Sequence, residues 1–151
     1  MKRLVAVCLI WSSLVFGAPH PAETFILADR VGEPNARSFF MFSTSAGQYT
    51  VRHDGMGEIT SPKGMRRVFH LRVGARARIE SVYYLEHQGD LFLLYEVTGQ
   101  IFYLVRMEQT KRKLRWSTEV RDVSEAPVID GDFVIVNDAR IAKINGQLTQ
   151  D

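Results

Sequence analysis

The chain has 151 residues, 46% of them hydrophobic and 24% charged, which is enough apolar material for a sizeable core. Its formal charge of +2 comes from its first residues: taking Lys2 and Arg3 from the 19 basic residues leaves 17 against 17 acidic ones. A remainder so close to neutral argues against a protein that holds nucleic acid through its phosphates, because that task needs a strongly positive footprint.

Met1, Lys2 and Arg3 precede the apolar run Leu4 to Phe16, a charged start and an apolar stretch too short to span a bilayer comfortably. Residues 1–17 therefore read as a signal peptide cleaved before Ala18, and residues 18–151 as a single all-β repeat domain exported to the periplasm or the extracellular space. Cys8, the only cysteine, lies inside that leader and too early for a lipoprotein site, so no disulfide is expected. Stability then has to come from the core, the sheet ladders or association.

Thr24 to Asp29 is a strand-like run with no partner of its own nearby. Beyond it, one phrase recurs at intervals of 42 residues: GQYTVRHD from Gly47, GDLFLLYE from Gly89 and GDFVIVND from Gly131. Glycine supplies positive φ without steric cost, and the runs behind it are rich in Val, Ile, Leu, Phe and Tyr, which suit a pleated surface. The triplets beginning at Gly57 and Gly99 share the same interval and mark a second register point.

Each unit predicts a strand, a tight turn, a strand, a turn and a strand. In the first these are Ser38 to Ser43, Gln48 to His53 and a weaker piece near Glu58. The second gives Ser81 to Glu86, Asp90 to Val97 and Gln100 to Met107; the third gives Pro127 to Asp130, Asp132 to Asn137 and Arg140 to Asn145. Alternation over Val68 to Val73 and over Leu114 to Val120 adds a fourth strand to the first two units. The third unit shows no such strand, and Thr24 to Asp29 is the candidate for its missing edge. No helix is predicted after the leader.

A period of this length with four short strands is that of a propeller blade. Lys113, Leu114, Arg115, Trp116 and the following Ala126, Pro127, Val128, Ile129, Asp130, Gly131, Asp132 resemble the end of one blade and the start of the next in the pyrroloquinoline-quinone-like β-propeller repeat family. The likeness covers roughly Gly89 to Asn145. It departs where Leu104, Val105, Arg106 replace the usual Ala-Leu-Asp and where Gln109, Thr110, Lys111 lack the turn glycine. The resemblance implies antiparallel, β-propeller-like blades and implies no activity, since many such propellers bind no quinone. Three repeats are fewer than a closed ring needs, which leaves half of a two-chain ring, a β-sandwich or partly open barrel, and a truncated propeller as the alternatives. Self-association is the expected outcome for propeller-type blades with uncovered faces.

Charge is unevenly spread. From Arg52 to Arg78 seven basic residues face only Asp54 and Glu58, whereas from Glu119 to Asp138 six acids face the single Arg121. Within Phe69 to Glu80 the apolar residues hold one parity, and His70, Arg72, Arg76 and Arg78 hold the other. On one extended strand, or a hairpin bent at Gly74, these four side chains share a face suited to carboxylate or phosphate groups. The competing reading is a charged edge that guards the sheet against edge-to-edge pairing.

His20, His53, His70 and His87 never approach a metal-ligand spacing, so no metal is expected. Nor is there a nucleophile turn, a catalytic cysteine, a phosphate loop or a dinucleotide fingerprint. Asp130, Gly131, Asp132 reads as a hairpin turn rather than an acid pair, and the aromatics of the second unit read as core. The sequence expectation is an exported, non-enzymatic binding or scaffold protein without a cofactor, engaging an envelope protein or acidic polymer. The alternative is a remnant or subunit of a quinone-binding or other envelope enzyme.

Overall fold

The computed structural model describes residues 22–32 and 38–149, and every regular element among them is a β-strand. The signal-peptide reading and His20 lie outside the described residues. Three short strands come first: β1 (Glu23–Thr24), β2 (Ile26–Leu27) and β3 (Asp29–Val31). The first repeat then supplies β4 (Phe39–Thr44), β5 (Gly47–Arg52), β6 (Met56–Thr60) and β7 (Arg66–His70). The second supplies β8 (Ile79–His87), β9 (Asp90–Val97), β10 (Ile101–Glu108) and β11 (Lys113–Val120). The third supplies β12 (Val128–Asp130), β13 (Phe133–Val136), β14 (Ala139–Ala142) and β15 (Leu148–Thr149).

Each repeat is an antiparallel meander, and each meander gains a fifth strand from the N-terminal segment, giving the sheet orders β3-β4-β5-β6-β7, β2-β8-β9-β10-β11 and β1-β12-β13-β14-β15. The fold is thus all-β, with three blade-like sheets and none closed into a barrel. The repeated glycines do the job their recurrence implies, since Gly47, Gly89 and Gly131 all have positive φ at the first hairpin of their sheets.

Residues 23–31 act as a strap across all three sheets. Glu23 pairs with Ile129, Ile26 with Tyr84 and Asp29 with Met41, so one extended segment hydrogen-bonds the first meander strand of the third, second and first sheets in turn. Between these pairings, Phe25 donates its N–H to Pro127 O (2.9 Å) and Ala28 to Val82 O (2.8 Å). Their side chains turn inward, Phe25 into the core between the second and third sheets and Ala28 into the core between the first and second.

The second sheet is the middle layer. Leu91, Leu93 and Tyr95 pack toward Phe40, Tyr49 and Val51 of the first sheet, while Phe92 and Leu94 pack toward Val134, Val136 and Ile141 of the third. Alternation of side chains across a strand explains the division, and burial on both faces explains why Leu91 to Tyr95 form an unbroken apolar run. The second-unit aromatics are core, as expected: Phe92, Tyr95 and Phe102 are buried, and Tyr83, Tyr84, Tyr103 and Trp116 pack against the two clusters.

Three expectations need correction. The third unit does have a fourth strand, because Leu148–Thr149 pairs with β14; the strap is therefore an added edge in every sheet and not a replacement in one. Gly57 and Gly99 do not mark one register point: Gly57 lies inside β6 opposite Phe69, and the glycine that matches Gly99 is Gly55, with φ of +93° against +98°. Finally, Phe69 to Glu80 is not a continuous strand or hairpin, since β7 ends at His70 and a turn follows in which Ala77 N–H bonds Gly74 O (3.1 Å). Phe69, Leu71 and Ile79 of the apolar parity are nonetheless buried.

Candidate functional site

His70, the last residue of β7, and Arg72, Arg76 and Arg78, on the connection from the first sheet to the second, are all exposed. Because the strand ends at His70, the three arginines follow a looped backbone instead of sharing one pleated face with it. That backbone is held at several points: Leu71 N–H bonds Gly55 O (2.8 Å), Ile79 N–H bonds His53 O (2.8 Å) and Thr98 N–H bonds Arg78 O (3.0 Å). Tyr95 Oη donates to Arg72 O (2.9 Å) from the core, and burial pushes the pKa of that phenol up, so it remains a donor. Arg78 pairs with Glu80 at 3.4 Å, whereas His70, Arg72 and Arg76 have no carboxylate partner among the described residues.

A second arrangement, not anticipated from the sequence, sits between the second and third sheets. A cleft of about 550 Å³ opens there, walled by the end of β8, the start of β9 and the turns on either side of β13 and β14. At its edge His87 bridges two charges: Nδ1 lies 3.0 Å from Glu23 Oε2 of the strap, and Nε2 lies 3.0 Å from Lys143 Nζ. An ammonium can only donate, so Nε2 accepts and Nδ1–H donates to the carboxylate. The imidazole is thereby fixed in one tautomer by groups from the other two segments.

The floor of the cleft is also locked. Arg106 Nε donates to Asp90 Oδ2 (2.7 Å), its Nη1 donates to Lys143 O (2.8 Å), and the guanidinium carbon stands 5.9 Å from the centre of the Phe92 ring. Trp116 Nε1 donates to the same Lys143 carbonyl at 2.9 Å. The Lys143 backbone is thus held independently of its side chain. Asp132 and Phe133 line the same cleft, as does Ile144, which is 80% exposed.

A third polar cluster seals the junction of the first and second sheets. Buried Gln109 accepts from Thr44 Oγ1 and Tyr49 Oη, both at 2.8 Å, and donates Nε2–H to Glu86 Oε2 at 2.6 Å. Glu86 also accepts the Ser45 N–H at 3.0 Å. All its parts are mutually satisfied, which marks it as a joint rather than a receptor.

Among the described residues no three histidine, cysteine or carboxylate side chains converge as a metal would require. Comparison with protein-family models, with curated proteins and with solved structures gave no match.

Proposed function

We propose that the chain is an exported, non-enzymatic binding or scaffold protein, related to the pyrroloquinoline-quinone-like β-propellers, that presents its basic connection to the anionic groups of an envelope polymer or protein. The reading rests on one observation. Arg72 and Arg76, with His70 beside them, are exposed and lack carboxylate partners among the described residues, on a backbone pinned by hydrogen bonds to both neighbouring sheets. Guanidinium forks on a pre-set backbone lose little freedom when they meet an anion, and this favours binding.

Edge protection explains these residues less well. A guarding charge belongs on the strand whose edge is open, and β7 already carries exposed Arg66 and Arg67 for that purpose. Arg72 and Arg76 lie beyond the end of β7, where there is no ladder to guard. Export rests on the composition of residues 1–17.

The test is retention on immobilised polygalacturonate as salt is raised. Replacing Arg72, Arg76 and Arg78 together by serine abolishes salt-sensitive retention, while replacing Arg66 and Arg67 leaves most of it. Equal retention of the two variants would remove the proposal.

A further inference from the structure

The cleft between the second and third sheets holds a charge pattern that the proposed anion surface does not use. Arg106 and Asp90 are matched with each other within the protein, and His87 spends its ring N–H on Glu23. Two ionic groups are left without such a match. Lys143 spends one ammonium proton on His87 and has no carboxylate partner among the described residues. Asp132 makes no side-chain hydrogen bond or ion pair among them either. Both line the same cavity, and their backbones are tied together by the bond from Lys143 N–H to Asp132 O at 2.9 Å.

One open cation and one open anion, held on adjoining backbone but not paired with each other, are complementary to a ligand carrying both signs. An anion alone would meet Asp132, and a cation alone would meet Lys143. Phe133 and Ile144 give the same cleft an apolar side, and its volume lies in the range of small-molecule sites, roughly 300–1,000 Å³. We infer that this cleft is a binding site for a small zwitterion with an apolar side chain, an amino acid or dipeptide, whose carboxylate meets Lys143 and whose ammonium meets Asp132.

His87 has a positioning part in this site. Glu23 holds its ring so that Nε2 faces Lys143, which orients the ammonium and leaves its remaining protons for a ligand. Because the strap supplies Glu23, the site is complete only when the strap is docked on the third sheet.

The test titrates the full chain with L-phenylalanine and with alanyl-phenylalanine, by calorimetry and by the NMR signal of the Trp116 indole N–H that bonds Lys143 O. Binding of either probe is expected, and which one binds tighter identifies the ligand length. The single-charge analogues 3-phenylpropionate and phenethylamine should bind at least about tenfold more weakly. Lys143→Met and Asp132→Asn should each cost about tenfold for the zwitterion, and Asp132→Asn should bring phenylalanine level with phenylpropionate. Lys143→Met keeps the carbonyl that anchors Arg106 and Trp116, and Asp132 is exposed, so both variants should fold. Absence of binding by both probes, an analogue that matches them, or unchanged affinity in either variant would overturn the assignment.

Discussion

The indole of Trp116, on the last strand of the second sheet, lies against the backbone of Gly146 in the third, so close that a Cβ at 146 would fall 2.5 Å from the ring. Gly146 also has φ of +72°, which a side chain rarely adopts. Packing and backbone conformation therefore demand glycine together, at the seam where Trp116 Nε1 bonds Lys143 O. Gly146→Ala should cost about 2–4 kcal/mol in urea unfolding, from overpacking plus the strained φ. Gly64→Ala, with φ of +82° but nothing within 4 Å of its Cβ, isolates the backbone share at about 1 kcal/mol.

The strap should show a sharp contrast between neighbours. Phe25 is 3% exposed within the core between the second and third sheets, whereas Ile26 is 53% exposed. Removing the buried ring should cost about 3–5 kcal/mol, and Ile26→Ala should stay within about 0.5 kcal/mol of wild type. Equal midpoints for the two variants in chemical denaturation would mean that the strap contributes by its backbone alone.

Acid should loosen the first sheet from the second. Desolvation by itself would raise the Glu86 carboxyl, but hydrogen bonds from the Ser45 hydroxyl and amide and from Gln109 outweigh it and hold the group below its ordinary value of 4.5. A depressed folded-state value contributes stability above the unfolded value, and that contribution is lost as pH falls through the folded one. Unfolding midpoints followed from about pH 7 to about pH 3 should decline more steeply in wild type than in Ser45→Ala, which lacks the hydroxyl donor. Parallel curves would show that Glu86 contributes nothing to the acid limb.

Much of the fold was legible because it repeats. A hairpin glycine followed by alternating apolar residues reports its own surroundings, and Gly47, Gly89 and Gly131 needed no distant partner to be recognised. Register by counting failed where strand lengths differ: the turn glycine stands eight residues after Gly47 but ten after Gly89, so the equal spacing of Gly57 and Gly99 matched letters and not places. The strap was read as a strand, but its three partners lie on three sheets, and the pairing of Glu23 with Ile129 leaves no local pattern.

The sites were less legible for the same reason. His70, Arg72, Arg76 and Arg78 were visible as a basic run, but their backbone is shaped by bonds to Gly55, His53 and Thr98, which parity cannot sense. Glu23, His87 and Lys143 meet from separate regions of the chain, and none is unusual in its own segment. The one available hint was the imperfect third unit: its compact β14 turn carries Lys143 and Gly146 against Trp116.

The strap also orders events in time. Residues 23 and 24 leave the ribosome about a hundred residues ahead of their partners at 128 and 129, so the fastening to the third sheet cannot close until those residues have been made. The earlier sheets can assemble meanwhile, with Val31 meeting Phe39 soonest and Glu23 meeting Ile129 last. The strap is laced from Val31, on the first sheet to be made, back toward Glu23, and a product stalled before residue 128 would carry an open seam for chaperones or proteases to find.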